Sequence, residues 1–142
     1  DMVKKDGYTG FGSIVIGKLT KEVISLLDLD RSECDIILWE DRLKYIQKHI
    51  ADFDSIEEYE KHVDLIPEII KNPDYVGMHP NSTSIEYIKR IDRLMLVAVR
   101  LKLSGDLAFR SAYPIREEQL ESYIRSGRAF KVSNDKEKDI ND

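Results

Sequence analysis

The sequence predicts an α+β fold in which N-terminal helices and a closing C-terminal helix pack against an antiparallel β-sheet. Three observations indicate this class. Apolar residues recur at helical spacing through much of the first half of the chain. After Pro73 the sequence changes to apolar runs separated by turn residues, which is typical of strands. The last amphipathic segment stops at Gly127, a residue type that commonly follows the end of a helix.

The first half of the chain contains two expected strands and two expected helices. A short β-rich run covers 13–17, and Thr20 is placed to cap a helix that reaches position 27. The apolar run over 34–38 predicts a buried strand. Over 41–52 the apolar residues return at helical spacing, which predicts a second helix.

Two further helical segments are expected before the sheet. Ser55 and Glu58 stand three residues apart, as in a capping box, and predict a short helix that ends near His62. A further helical turn or two over 65–70 stops before Pro73, because proline disfavours helical backbone at the residue that precedes it.

The second half of the chain predicts the sheet and the closing helix. In the run over 94–101 apolar residues occupy both alternating faces, which predicts a strand buried on both sides. Turn residues over 79–83 and 103–106 separate the runs, and a helix is expected over 115–126. The expected strands are 75–78, 84–91, 94–101 and 107–112.

Length and composition suit one domain with a single core, since the chain has 142 residues of which 42% are hydrophobic. We expect a flexible segment over 1–12, a folded domain over 13–132 and a disordered polar tail over 133–142. No apolar run approaches the roughly 18 residues that a membrane span needs, and we expect no signal peptide. The single cysteine, Cys34, cannot form an internal disulfide, which fits a reducing compartment and predicts a cytoplasmic protein.

The distribution of charge is uneven. The net charge of −5 argues by itself against a general nucleic-acid binder, because phosphate contacts need Lys and Arg. Residues 89–116, however, hold seven Lys or Arg and two Asp, a local charge of +5. Local potential at a cleft governs the binding of a polyanion, although a solvated sheet face would show the same charges. The residues expected to bind phosphate groups are Arg42, Lys89, Arg100 and Arg110.

A basic cluster on the second helix is the first candidate site. His49 and Arg42 stand seven residues apart, about two helical turns, so they share a face beside the apolar stripe. A histidine titrates near neutrality and can transfer a proton, while a nearby cation stabilises negative charge in a transition state. His49 as an ordinary surface residue is the alternative. Neither His62 nor His79 supplies a second ligand at helical spacing, so we expect no metal and no cofactor.

The end of the last predicted strand is the second candidate. Along a strand, Arg110 and Ala112 point one way, and Ser111 and Tyr113 point the other way. Either pair could face a cleft that binds phosphate. The alternative is an exposed strand end before Pro114.

Four segments, in order, resemble the phage-associated barnase–EndoU–colicin E5/D–RelE-like nuclease domains. They run over 16–19, 45–49, 66–76 and 111–115. The third, from Ile66 through Pro73 to Val76, is the most specific of the four.

The resemblance implies N-terminal helices packed on an antiparallel sheet of about four strands, with a ribonuclease site on that sheet. Carried over by position, it implies Lys48, His49, Ser111 and Tyr113 as catalytic residues. The family often has a histidine where this chain has Tyr45, which puts activity in question.

The activity implied is that of a metal-independent endoribonuclease, in which a ribose 2′-hydroxyl attacks the adjacent phosphate. The implied setting is a phage or mobile-element toxin or effector in a bacterial or phage-infected cell, with RNA (tRNA among the candidates) as substrate and an immunity or antitoxin protein as a partner. Two alternatives stay open: a non-catalytic binding or inhibitor module on the same fold, and another enzyme on a small α+β scaffold.

Overall fold

The structure is a computed structural model that describes residues 12–133. The expected flexible segment over 1–12 and the expected polar tail over 133–142 lie almost entirely outside these residues. In the described part, every helix is too short or too polar to cross a membrane.

One sheet and five α-helices make up the described chain. The strands are β1 (Ser13–Leu19), β2 (Cys34–Trp39), β3 (Tyr75–Met78), β4 (Ser84–Arg90), β5 (Leu94–Arg100), β6 (Leu107–Pro114) and β7 (Ala129–Lys131). The helices are α1 (Lys21–Leu26), α2 (Leu43–Gln47), α3 (Ile56–Asp64), α4 (Ile66–Lys71) and α5 (Glu117–Arg125). Two 3-10 turns, Glu40–Arg42 and Ile50–Asp52, flank α2.

The predicted antiparallel sheet of about four strands behind N-terminal helices is wrong. The sheet has seven strands in the order β1-β2-β6-β5-β4-β3-β7, and it is mixed because β2 runs parallel to β6. The two early strands precede or separate the first helices and extend the sheet at one edge. At the other edge β7 pairs with β3 over three residue pairs. The first element of the described residues is therefore a strand of the sheet and not a helix.

Two predicted helix caps are confirmed. The Thr20 hydroxyl accepts a hydrogen bond from the Val23 amide at 3.3 Å, and the Ser55 hydroxyl accepts one from the Glu58 amide at 3.0 Å. Each satisfies a backbone donor that the first turn of a helix leaves without a partner. Gly127, with φ of +78°, follows α5 as predicted.

The single helix predicted over 41–52 is wrong, because this segment divides into α2 and its two flanking 3-10 turns. None of the three pieces has a side-chain cap at its start. Without caps, the backbone closes its end turns with tighter 3-10 hydrogen bonds. His49 consequently lies at the start of the second 3-10 turn and not within a helix.

The two faces of the sheet are covered differently. The larger core lies under α4, which packs on β1, β4 and β5 and buries Ile66, Ile69 and Ile70. The smaller core lies on the opposite face under α5 and includes Leu120. Because successive strand residues point to opposite sides, Glu86 lies on this second face, together with Ser84 and Arg100. The second face therefore carries polar side chains next to its small apolar core.

Candidate active site

The position of α2 follows from the short pairing between β2 and β6. These parallel strands pair only through Ile36 with Leu107 and Ile37 with Ala108. Beyond Ala108, the first 3-10 turn and α2 lie along β6, and the Arg42 guanidinium donates a hydrogen bond to the Arg110 carbonyl oxygen at 2.7 Å. The start of the predicted basic helix is thus fixed to the predicted basic strand.

A cleft of about 570 Å³ lies where these elements meet. Five cationic side chains line it, and the one carboxylate among the described residues of the lining is that of Asp41. The cations come from the residues that flank α2, from β5 and the loop after it, and from β6. This excess of positive charge attracts a polyanion despite the negative charge of the whole chain. The five cations are Arg42, Lys48, Arg100, Lys102 and Arg110.

A β-bulge in β6 sets the direction of the Arg110 side chain. The register with β5 shifts so that Ala98 pairs with Ser111 and Val99 pairs with Phe109, which leaves Arg110 as the extra residue. The alternation predicted for this strand end is therefore wrong at Arg110, which lines the cleft together with Ser111. It is confirmed beyond the bulge, where Ser111, Ala112 and Tyr113 pair with consecutive residues of β5. The Arg110 guanidinium donates to the Ser84 hydroxyl at 3.1 Å, which anchors it on the second face of the sheet.

His49 lies against Tyr113. Their ring centroids are 5.3 Å apart, and the ring planes are inclined by 33°. Nδ1 of His49 is 2.7 Å from a carboxylate oxygen of Asp52, and the imidazole side chain keeps 24% exposure. A carboxylate that accepts a hydrogen bond from Nδ1 leaves Nε2 as the ring nitrogen for proton transfer.

The environment of Tyr113 keeps its hydroxyl protonated at neutral pH. Burial raises the pKa of Tyr113 above its usual value, and the nearby carboxylate of Glu86 raises it further. The cations Arg128 and Arg110 act in the opposite direction. The phenol is consequently a hydrogen-bond donor beside the imidazole.

Sequence reasoning missed a buried ion pair on the same face. Glu86 is 1% exposed, and both of its carboxylate oxygens accept hydrogen bonds from the Arg128 guanidinium, at 2.8 and 2.7 Å. That guanidinium also lies 3.8 Å from the centre of the Tyr123 ring. A carboxylate inside the apolar run of β4 was a signal in the sequence, since buried acids need a partner. Its partner, 42 positions away, had no such signal.

Five of the residues predicted for the site line the cleft together: Arg42, Lys48, Arg100, Arg110 and Ser111. His49 and Tyr113 contact each other but are not among the residues that line this cleft. Ser111 lines the cleft, and its buried hydroxyl has no hydrogen-bond partner among residues 12–133. Lys89 is elsewhere: its ammonium group donates to the Asn72 carbonyl oxygen at 2.8 Å and lies 3.6 Å from Asp74. Successive residues of β4 point to opposite faces, so Lys89 points to the face that α4 covers, opposite to Ser84 and Glu86. The cleft residues Trp39 and Lys102 were not predicted for the site.

Within residues 12–133, no group of three or more His, Cys, Asp or Glu side chains is arranged to hold a metal ion.

Comparison with known proteins identifies the family. A family model described as phage-Barnase-EndoU-ColicinE5/D-RelE like nuclease 3 matches residues 13–122, most of the chain. No curated protein and no solved structure gives a significant match. The match covers β1 through most of α5 and confirms the resemblance carried by the four sequence segments. The family description indicates a nuclease with a nucleic acid as substrate, and the chain belongs to this family of phage-related barnase–EndoU–colicin–RelE-like nucleases.

Proposed function

We propose that this nuclease cleaves RNA without a metal ion, by attack of a ribose 2′-oxygen on the adjacent phosphorus. One observation carries the proposal: the imidazole of His49 lies against Tyr113 on β6, the strand that also lines a cleft with five cations. This arrangement supplies a proton acceptor, a proton donor and positive charge, which together meet the needs of the reaction.

The proposed reaction proceeds in one displacement. Nε2 of His49 takes the proton from the 2′-hydroxyl, the 2′-oxygen bonds to phosphorus, and the bond from phosphorus to the 5′-oxygen breaks. The Tyr113 hydroxyl gives its proton to the departing 5′-oxygen, and the products are a 2′,3′-cyclic phosphate and a 5′-hydroxyl. The imidazolium, stabilised by Asp52 at 2.7 Å, then returns a proton to the phenolate.

The cations bind and stabilise the phosphate. Lys48 and Arg110 line the cleft and hold the non-bridging oxygens, on which negative charge grows in the transition state. The Ser111 hydroxyl, buried and without a partner in the described chain, donates a further hydrogen bond to phosphate. Arg100 extends the positive surface to the neighbouring phosphate, and Arg42 holds α2 against β6.

The variant His49→Ala tests the proposal. Loss of a general base is expected to lower the rate of RNA cleavage in EDTA by about 100- to 10,000-fold. Gln47→Ala, at the exposed last residue of α2 and two positions before His49, is the matched control and is expected to cleave at the rate of the unmodified protein. An unchanged rate in His49→Ala removes His49 from the mechanism.

A non-catalytic binding module is the second candidate, and Tyr45 favours it. The Arg42 guanidinium lies 3.8 Å from the centre of the Tyr45 ring, at a position where the family often has a histidine. If binding is the whole function, RNA will bind in the cleft and be recovered intact, and Tyr45→His will be the variant that gains cleavage.

The biological setting is also part of the proposal. The family description supports a phage-related nuclease, and we extend it to a toxin or effector in the cytoplasm of a bacterial or phage-infected cell. RNA, with tRNA among the candidates, is the proposed target, and an immunity or antitoxin protein is the proposed partner. Growth arrest on expression that His49→Ala relieves is the expected outcome; normal growth with active protein would contradict a toxic role.

A further inference from the structure

We propose that Trp39 is a base-stacking platform beside the phosphate-binding cleft, and that the substrate is therefore single-stranded RNA with an unpaired base next to the bound phosphates. The inference rests on the proposed function for the identity of the polymer. It adds a subsite for a nucleobase and a requirement for an unpaired strand.

The exposure and position of Trp39 support a platform. Its side chain is 44% exposed, although it directly follows the buried run Ile36 to Leu38 of β2. It lines the cleft together with the cations Lys48 and Arg100. A large aromatic ring exposed beside clustered cations is the combination that single-stranded nucleic acids bind, since the cations hold the backbone and the ring stacks on a base.

The backbone at Trp39 is well fixed. Trp39 pairs with Ser13 of β1 as the last residue of β2, so the backbone that carries the indole belongs to the sheet rather than to a loop. A ring held on a strand loses less conformational entropy when a base stacks on it than a ring on a mobile segment does.

The other two aromatic residues that line the cleft are not available to a base, because Phe109 is only 1% exposed and Tyr45 is already engaged. The ring of Tyr45 lies under the Arg42 guanidinium at 3.8 Å, with the ammonium groups of Lys44 and Lys48 at 5.3 and 5.5 Å from its centre. In the part of the chain that the structure describes, neither an aromatic ring nor a cation stacks on Trp39. Trp39 is thus the aromatic residue of the cleft with a ring face to offer.

The geometry of nucleic acids determines that a single strand, and not a duplex, can bind to such a ring. In a duplex each base is stacked on its neighbours and paired, so its faces are unavailable to a side chain. An unpaired base in a loop, a bulge or a tail can stack on an aromatic ring. Every base has such a face, so we expect Trp39 to impose little preference for base identity.

Trp39 is also a built-in reporter, because the chain contains one tryptophan. The probe is a 2′-O-methyl RNA of about ten nucleotides, which fits one binding groove and lacks the free 2′-hydroxyl that cleavage needs. We expect the single strand to quench the emission of Trp39 to saturation. The blunt duplex of the same sequence, at equal phosphate concentration, is expected to leave that emission nearly unchanged.

Variants measure the contribution of the ring through the anisotropy of the end-labelled probe. Trp39→Ala is expected to bind the single strand about 5- to 100-fold more weakly, and Trp39→Phe to retain part of the affinity. Phe130→Ala is the matched control, because Phe130 is 41% exposed but lies on β7 at the far edge of the sheet. The melting temperature of each variant is measured to show that it is folded.

Three results would overturn the inference: no quenching by the single strand, equal quenching by the duplex, or equal affinity of Trp39→Ala and the unmodified protein. Failure of this inference differs from failure of the proposed function. If RNA is cleaved and Trp39→Ala keeps its KM, the platform is refuted and the nuclease stands. If Trp39 is quenched but RNA stays intact in EDTA, the cleavage proposal fails and the platform stands.

Discussion

The imidazole of His49 and the phenol ring of Tyr113 lie with their centroids 5.3 Å apart, although one follows α2 and the other lies on β6. This contact exists because β2 leaves β6 after two residue pairs and α2 takes its place beside the strand. The contact places an ionisable ring next to a phenol on the strand that also lines the basic cleft. Four predictions test the residues of the candidate site and of the sheet that carries it.

Asp52 is expected to orient His49. In Asp52→Asn the amide no longer fixes the Nδ1–H tautomer, so we expect kcat for RNA cleavage to fall on the order of 100-fold with little change in KM. Asp54→Asn, at a nearby exposed position, is expected to keep full activity. Kinetics on one defined RNA measure both variants, and a KM effect without a kcat effect would assign Asp52 to binding instead.

Arg100 and Lys89 make a matched pair of cations on adjacent strands. Arg100 lines the cleft, whereas Lys89 donates to the Asn72 carbonyl oxygen on the other face. Arg100→Ala is expected to weaken RNA binding and to reduce the slope of log K against log salt concentration by about 0.7, the value for one single-strand phosphate contact. Lys89→Ala is expected to leave this slope unchanged, and the reverse pattern would move the phosphate path to the other face.

The ion pair of Glu86 and Arg128 is expected to stabilise the fold. Glu86→Gln leaves the half-buried guanidinium without its charged partner, and we expect the free energy of unfolding to fall by about 3 kcal/mol. In the double variant Glu86→Gln with Arg128→Met, no charge is left uncompensated, so the loss is expected to be smaller. Urea unfolding at neutral pH measures the free energy of unfolding of both variants. An equal decrease in the two would show that the unpaired guanidinium does not cause the loss of stability.

The buried hydroxyl of Tyr87 is expected to lower the free energy of unfolding at high pH. Burial raises the pKa of its hydroxyl strongly, and that hydroxyl has no hydrogen-bond partner within the described chain. A raised pKa in the folded state means that the unfolded chain loses this proton first, so stability falls as the pH rises above about 10. Tyr87→Phe is therefore expected to gain about 1 kcal/mol at pH 7 and to lose less stability at pH 11. Urea unfolding at the two pH values is the measurement, and a less stable variant at pH 7 would show that the hydroxyl is satisfied.

The sequence predicted elements with strong local patterns better than it predicted their assembly. The alternation in β5 and the caps at Thr20 and Ser55 are local signals, and the structure confirms them. The parallel pairing of β2 with β6 joins segments about 70 positions apart, and no local pattern encodes it. The three-residue β7 has only Ala129 buried, so its sequence lacks the alternation of a strand.

The same limit applies to the site. Arg42 and Arg110 were predicted separately, but only the fold joins them through a hydrogen bond of 2.7 Å. The bulge at Arg110 depends on register with β5, which the strand sequence alone does not show. Lys89 was predicted to bind phosphate from local charge, whereas the alternation of β4 points its side chain to the opposite face.

The most direct test of the central claim uses a DNA strand that contains one ribonucleotide, incubated with the protein in EDTA. If His49 and Tyr113 promote attack by a 2′-oxygen, cleavage occurs only after the ribonucleotide and leaves a 2′,3′-cyclic phosphate and a 5′-hydroxyl. Cleavage of the all-DNA strand, 5′-phosphate ends, or activity that disappears with EDTA would contradict the proposed chemistry.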